Sequence, residues 1–171
     1  MKLMKWKLLL VAVAGFAFAD DANAQATQNI SVSATVPNFC IFDGTSETAM
    51  AFDLSNVATA VSDFDATTTL RWRCSNGFNT SIEIDGGTTT GNVDNRAMSS
   101  GTDTLNYNLF TDNTYSQIWG DDTGASARVA IAGTGMGNVT DSVVYGRVLL
   151  ADGQAAEPGA YTDTVVVTIL P

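Results

Sequence analysis

Short alternating segments separated by turn residues dominate the chain. Apolar and polar positions alternate most clearly in residues 28–36, 68–74, 80–85, 104–110, 142–150 and 161–170. The intervening residues are rich in Gly, Asn, Asp, Ser and Pro, which tolerate turn dihedrals. Residues 56–65 allow one short helical turn, but nothing after residue 24 has sustained helical periodicity. Because a period of two places every second side chain on one face, the pattern predicts an all-β sandwich or barrel.

The first 24 residues have the features of a secretory signal peptide. Three lysines precede an uncharged run over residues 8–19, which is shorter than the roughly 20 apolar residues that a membrane-spanning helix needs. The small-x-small triplet at residues 22–24 predicts a mature chain that begins at Gln25, and a cut after Ala19 is the alternative. We therefore expect an exported protein with no membrane insertion of the mature chain.

The two ends of the predicted mature chain carry the most regular alternation. Ile30, Val32, Ala34 and Val36 alternate with polar residues, so an extended conformation would have one apolar face. Terminal residues are poorly ordered unless they are tied down, so this strand needs a sheet to join, its own or another molecule's. At the other end we expect a last strand that has no successor. Its apolar face consists of Tyr161, Val165, Val167 and Ile169.

Composition limits the partners of this chain. The three lysines fall within the predicted signal, so residues 25–171 carry five arginines against 16 acidic residues, a net charge of −11. Such a surface repels nucleic acid. The length suits one domain, and the scarcity of Lys, Glu and Leu beside abundant Thr, Ser, Asn and Gly agrees with an all-β fold.

Cys40 and Cys74 are the only cysteines. In an exported chain an even number of cysteines favours a disulfide, so we expect one intramolecular bridge. A zinc site is a weak alternative, because the chain has no histidine and two isolated thiols cannot complete a zinc coordination shell.

Candidate catalytic and ligand-binding groups are few. Without histidine, and without lysine after cleavage, only paired carboxylates remain for acid–base chemistry. The candidates are Asp85, Asp94, Asp103, Asp121 and Asp122. Turn shaping is the commoner role of such aspartates, so we expect no enzyme. Calcium binding near Asp121 lacks the ordered spacing of a calcium loop, and we expect no cofactor.

Two further motifs have an ordinary structural interpretation. The glycine-rich residues 133–137 lack the spacing and the lysine of a phosphate-binding loop, so we expect a flexible loop. Trp72, Tyr107 and Trp119 would suit a sugar-stacking platform. Packing in the core is the favoured use of these aromatic residues, with Trp72 on the same strand face as Cys74.

Together these residues resemble the spore coat U domain family, which includes the major pilins of archaic chaperone-usher pili. The resemblance covers nearly the whole predicted mature chain. It rests on Cys40 behind the alternating N-terminal segment, Leu70-Arg71-Trp72-Arg73-Cys74, Leu105-Asn106-Tyr107-Asn108-Leu109-Phe110, Trp119-Gly120-Asp121, Val144-Tyr145-Gly146-Arg147-Val148 and Pro158-Gly159-Ala160-Tyr161-Thr162-Asp163-Thr164-Val165.

The resemblance implies an incomplete immunoglobulin-like β-sandwich that is completed by a donated N-terminal strand. The implied organisation is a signal peptide (residues 1–24), a donor strand (25–36) and a spore coat U-like pilin domain (37–171). The implied partners are a periplasmic chaperone, an outer-membrane usher and further copies of the chain. The implied contact surface for the chaperone or usher is the C-terminal strand.

We therefore expect a structural subunit of an extracellular, cell-surface pilus, exported through the periplasm and acting in surface adhesion or biofilm formation. A secreted coat protein of a spore or cell surface is the first alternative. A sugar-binding tip adhesin is the second, although one domain leaves little room for it. A secreted enzyme is the last.

Overall fold

The computed structural model describes residues 25–171, so the predicted signal peptide lies outside the described residues. Of the described residues, 25–35 and 36–171 belong to two separate units. Residues 25–39 contain no regular secondary structure. In the described part of the chain, no helix has the length and hydropathy needed to cross a membrane.

The second unit consists of ten strands and two short helices. The strands are β1 Cys40–Phe42, β2 Phe64–Cys74, β3 Asn79–Ile84, β4 Arg96–Ser99, β5 Thr104–Phe110, β6 Ile118–Trp119, β7 Ser126–Ala127, β8 Val129–Ala132, β9 Thr140–Val148 and β10 Val167–Ile169. The helices are α1 Gly87–Thr90 and α2 Leu150–Ala155. The prediction of an all-β protein is confirmed.

The strands form two sheets. The larger sheet has the order β1-β2-β9-β5-β6-β7, with β4 paired to β5, and all of its pairs are antiparallel except β6–β7. The smaller sheet has the antiparallel order β10-β3-β8. Buried side chains from both sheets form one hydrophobic cluster. They include Leu70, Trp72, Ile82, Ile84, Leu109, Trp119, Ile131, Val144 and Val148.

An irregular segment, residues 43–63, closes one side of the core. Met50, Phe52 and Leu54 are partly buried and pack against the cluster. Gly146 on β9 makes room for Met50 and Phe52, because a Cβ at that position would overlap both side chains. The expected helical turn is limited to residues 56–60, where the N–H of Ala60 donates to the Asn56 carbonyl at 3.0 Å. Phe64 already belongs to β2.

The disulfide between Cys40 and Cys74 is confirmed. The two residues are directly opposite each other on β1 and β2, so the bridge fastens the first strand to the sheet. A cross-link over 34 residues stabilises the fold by roughly 3–4 kcal/mol in the chain-entropy model. Cys74 is 1% exposed and Trp72, two residues earlier on the same face, is 3% exposed.

The predicted strand boundaries differ from the observed ones where backbone partners change. β9 ends at Val148, because the N–H of Leu150 donates to the Asp63 carboxylate instead of a strand and α2 begins there. The expected last strand is shortened to β10. Its preceding residues bond in turn to Ser99 of β4, Thr88 of α1 and Asp85, so they follow no single partner strand.

Five strands lack a predicted counterpart, β1, β4, β6, β7 and β8, and each has at most four residues.

The glycine-rich loop at residues 133–137, expected to be flexible, is hydrogen-bonded to the rest of the protein at its first residue. The Gly133 N–H donates to the Phe78 carbonyl at 2.8 Å, and the Gly133 carbonyl accepts from Gly77 at 2.9 Å. A Cβ at Gly133 would overlap the Ser75 carbonyl, which explains the glycine.

Arg96 joins the two sheets from inside the core. Its side chain is fully buried, and no carboxylate of the described residues forms an ion pair with it. Each of its five N–H groups has an acceptor within 2.7–3.2 Å. The acceptors are the carbonyls of Ile84, Asp85, Val93 and Trp119 and the side chain of Asn108. One guanidinium therefore connects the end of β3 to β5 and β6.

Asp163 fastens the segment that leads into β10. One carboxylate oxygen accepts from the Thr88 hydroxyl at 2.9 Å and from the Thr89 N–H and hydroxyl at 3.1 Å. The other accepts from the Tyr107 hydroxyl at 2.7 Å. Burial raises the pKa of Asp163, but these bonds outweigh burial and hold the pKa below its ordinary value of 3.8. Burial, with the same bond to Asp163, raises the pKa of Tyr107.

We predict that Arg96→Lys lowers the free energy of unfolding by about 2–4 kcal/mol, because an ammonium has three donors and leaves buried carbonyls unpaired. The measurement is urea unfolding, in which the slope of the transition is compared between the variants as well as the midpoint. Arg71→Lys is the matched control, since its ion pair with Asp141 is exposed, and it should change stability by less than about 1 kcal/mol. Equal midpoints for both variants would contradict the role of Arg96.

We predict that Asp163→Asn destabilises the protein in a pH-dependent manner. Since the folded-state pKa lies below the unfolded-state value, the carboxylate stabilises the fold above the unfolded pKa and loses this effect as pH falls through the folded one. The melting temperature should therefore drop at pH 7, with a smaller difference below about pH 4. Asp141→Asn, an exposed position, serves as control. A deficit that is constant over pH 3–7 would contradict the prediction.

Candidate functional site

The smaller sheet ends at β10 with an unpaired edge. Among the described residues β10 pairs only with β3. The Val166 carbonyl accepts from the Asp85 N–H at 3.0 Å, and the Leu170 N–H donates to Ser81 at 2.9 Å. Because bonding direction alternates along an antiparallel strand, the backbone groups of Val167 and Ile169 point to the unpaired edge.

The hydrophobic core is closed at β3 and open at β10. Ile82 and Ile84 of β3 are 0% and 1% exposed. Val167 and Ile169 are their direct partners on β10, and both are only partly buried although they pack against the same cluster. Apolar side chains that touch the core yet remain partly exposed indicate that the sheet is one strand short at this edge.

The C-terminal residues singled out from the sequence share one face. Tyr161, Val165, Val167 and Ile169 are all partly buried against the core, whereas the alternate residues 162, 164, 166 and 168 are exposed. Of the four, only Val167 and Ile169 lie in β10. The Tyr161 hydroxyl oxygen lies 3.0 Å from the Asp103 carboxylate and 2.8 Å from the Glu157 carbonyl, and its single proton is shared between these two acceptors.

The first strand of the larger sheet also has an unpaired edge within the described residues. Cys40 and Phe42 of β1 are partly buried against the core. Just before β1 the chain is attached to the body by Ser75, whose N–H donates to the Phe39 carbonyl at 2.8 Å and whose hydroxyl donates to the Pro37 carbonyl at 3.0 Å. The chain is therefore fixed to the body from Pro37 onward.

The N-terminal segment preceding Pro37 exposes its apolar side chains. Ile30, Val32 and Val36 are 84%, 89% and 84% exposed, and Ala34 is exposed as well. Residues 25–36 form no strand. Three large aliphatic side chains, at positions that would share one face of an extended strand, are thus left in contact with water at an unfavourable free energy.

The aromatic residues considered as a sugar platform lie inside the protein. Trp72, Tyr107 and Trp119 are 3%, 9% and 1% exposed. The indole N–H of Trp119 donates to the Ile82 carbonyl at 3.0 Å, which links the two sheets, and that of Trp72 donates to the Ser142 hydroxyl at 2.9 Å. The interpretation of these three residues as a sugar-stacking surface is therefore wrong.

The candidate acids shape loops. Asp121 accepts from the Thr123 N–H at 3.0 Å, and Asp122 accepts from the Arg128 backbone at 2.8 Å. The hydroxyl of Thr123 is the largest cause that holds the pKa of Asp121 below its ordinary value. Asp85, Asp94 and Asp103 accept backbone N–H groups from Val166, Ala125 and Glu157 respectively. Within residues 25–171 no three acidic or cysteine side chains form a metal-binding group.

Sequence reasoning missed the residues that hold this site in place. Arg96 gave no signal, because a lone arginine in a polar stretch looks like any exposed one. Asp163 lay inside the predicted last strand, and the sequence does not show that the fold brings it against Tyr107 and Thr89. The alternation of Met50, Phe52 and Leu54 was a usable signal, and these residues pack on the core without forming a strand.

Comparison with known proteins gives one family and a related fold. The chain matches the Spore Coat Protein U domain over residues 26–168. No curated protein sequence matches it. Among solved structures it resembles a chain of the CsuC–CsuE chaperone–tip adhesion subunit pre-assembly complex from the archaic chaperone-usher Csu pili of Acinetobacter baumannii.

That structural likeness has a TM-score of 0.52 at 20% identity, over 79% of this chain and 40% of the other, so this chain spans less than half the length of its structural neighbour. At this identity the likeness shows the fold alone, an immunoglobulin-like β-sandwich. The domain match covers nearly all of the described residues. The chain therefore belongs to the spore coat protein U domain family.

Proposed function

We propose that this protein is a structural subunit of a chaperone-usher pilus that polymerises by strand exchange. In the proposed contact, residues 25–36 of one subunit add a strand at the open β10 edge of the next. The proposal rests on one difference in burial. Ile82 and Ile84 of β3 are fully buried, whereas Val167 and Ile169, their partners on β10, are partly exposed.

The proposed contact uses two kinds of interaction. Backbone groups of Val167 and Ile169 would pair with the incoming strand, and alternate side chains of that strand would enter the core. Ile30, Val32 and Val36 would each contribute roughly 1.5–3 kcal/mol on full burial, and Ala34 less. A head-to-tail contact of this kind does not close on itself, so its repetition produces a fibre.

An open edge of this kind needs cover before assembly, because unpaired strands promote aggregation. We propose that a periplasmic chaperone holds the β10 edge, with Tyr161, Val165, Val167 and Ile169 beneath it, until an outer-membrane usher passes the subunit on. The structural neighbour comes from a chaperone–subunit complex, which supports this assignment. Export, a cell-surface pilus and a role in adhesion or biofilm formation complete the proposal.

A secreted coat protein is the second candidate, favoured by the description of the matched domain as a spore coat protein. The same edge and the same N-terminal segment would serve a coat layer as well as a pilus. Electron microscopy of the assembled protein separates them, because a pilus gives thin fibres and a coat gives a shell or sheet.

We predict that Val32→Asp abolishes polymers while the folded body survives. The substitution forces a carboxylate into an apolar site, which costs far more than the lost methyl groups. Deletion of residues 25–36 should have the same effect, because the cut lies before the attachment of Pro37 to Ser75. The measurement is heat-resistant multimers on a denaturing gel, with circular dichroism as the test of folding.

Ser33→Thr is the matched control for this prediction, since it changes the polar face of the same segment and should leave the multimers intact. A synthetic peptide of residues 28–36, added to the deletion variant, should raise its melting temperature, because a ligand that binds only the folded state stabilises it. Multimers that persist in the deletion variant, or a peptide with no effect, would refute strand exchange by this segment.

We also propose that the protein has no enzymatic activity. The acids that could act in pairs are engaged in loop hydrogen bonds. We predict no turnover when the purified protein is screened against glycan and peptide substrates. A turnover that Asp121→Asn abolishes, with the fold intact, would show that this view is wrong.

A further inference from the structure

A polar groove runs along β5, away from the β10 edge. A cavity of about 380 Å³ lies between the start of β4, the body of β5 and the end of β9. A second cavity of about 220 Å³ continues along the N-terminal half of β5 to α2. The two share Asn106 and Asp152, so they form one groove that follows Thr104–Phe110, a span of roughly 20 Å.

The groove presents polar side chains that have no partner. Among the described residues, the side chains of Asn95, Asn106 and Asp152 make no hydrogen bond or ion pair, and both asparagines are exposed. Asn108, two residues along the same strand, is instead used by the N–H groups of Arg96 and by the Asp94 carbonyl. The groove therefore offers two amides and one carboxylate to a ligand.

An aromatic ring lies beside these polar groups. Phe110 lines the larger cavity and packs edge-on against Tyr115, with ring centres 5.4 Å apart and planes at 88°. Tyr115 has a left-handed φ of 56°, and the Arg147 guanidinium lies 3.5 Å from its ring centre. These contacts fix the orientation of Phe110. Leu149, 53% exposed, adds a second apolar surface to the groove.

The charges around the groove exclude anionic ligands. Arg96 is buried with all five N–H groups engaged, and Arg147 is paired with Asp63 and Asp65 at 3.4 and 2.7 Å. Neither cation is free to bind an anion, whereas Asp94 and Asp152 line the cavity. The net charge of −11 over residues 25–171 acts in the same direction.

We propose that this groove binds a neutral oligosaccharide. Neighbouring sugar hydroxyls both donate and accept, which matches an amide beside a carboxylate. The C–H face of a sugar ring is apolar and packs on an aromatic ring such as Phe110. The length of the groove favours a chain of several sugar units over a single sugar. The groove lies outside the β10 edge and the N-terminal segment, so the proposal is independent of strand exchange.

The test is titration of the purified protein with neutral oligosaccharides of glucose, galactose and N-acetylglucosamine, followed by calorimetry and by NMR of backbone amides. We expect saturable binding to at least one of them, with shifts at β5 and α2, and no binding of polygalacturonate. Asn106→Ala should weaken binding about fivefold to tenfold, the effect of one or two lost hydrogen bonds. Asn76→Ala, in an exposed turn outside the groove, is the matched control and should bind as the parent does.

Phe110→Leu provides a second variant, because it keeps an apolar side chain but removes the aromatic face. It should lose most of the binding, while the melting temperature falls only slightly through loss of the aromatic contact with Tyr115. The proposal is overturned if no neutral oligosaccharide saturates the protein, or if cationic chitosan alone binds and does so equally to every variant. It is also overturned if Asn106→Ala leaves glycan binding unchanged and alters the multimer ladder, since the groove is then a contact between subunits.

Discussion

One buried cation, the guanidinium of Arg96, links the two sheets. Arg96 donates to backbone carbonyls at the end of β3 and to β6, and it bonds to Asn108 on β5. A buried charge without a carboxylate partner is tolerated only when every N–H group has an acceptor, which is the case here. The indole of Trp119 adds a second link from the larger sheet to Ile82. Displacement of β3 would break both links, so β3 is the fixed strand from which the smaller sheet extends.

The position of β10 follows from that fixed strand. β10 pairs with β3 through only three residues, and Asp163 holds the segment before it through Thr88, Thr89 and Tyr107. The β10 edge is therefore held in a defined position, although it has no partner strand on its outer side among the described residues. In the proposed strand exchange, an edge held in this way would lose little conformational entropy when a strand joins it, which would favour a long-lived contact.

The outward-facing side of the larger sheet has a different chemistry. Its cross-strand pairs include Asp65 with Arg147 and Arg71 with Asp141, and exposed pairs of this kind contribute little to stability. Such a surface tolerates water and resists nonspecific association, as does the strong negative charge. The contact surfaces of the proposed strand exchange, the β10 edge and the N-terminal segment, lie apart from these charged pairs.

The sequence alone determined the strand-rich class, the disulfide and the apolar face of the C-terminal segment, because these depend on local alternation and on compartment chemistry. Core packing of Trp72 was likewise readable from the sequence, because this residue shares a strand face with Cys74. Only the tertiary structure decided the role of Arg96, the packing of residues 50–54 against β9 and the end of β9 at Val148. Those features depend on contacts between residues far apart in the chain, such as Arg96 with Trp119 or Asp163 with Thr88. A linear pattern of polar and apolar positions does not specify which carbonyls or hydroxyls, distant in the sequence, will contact a given side chain.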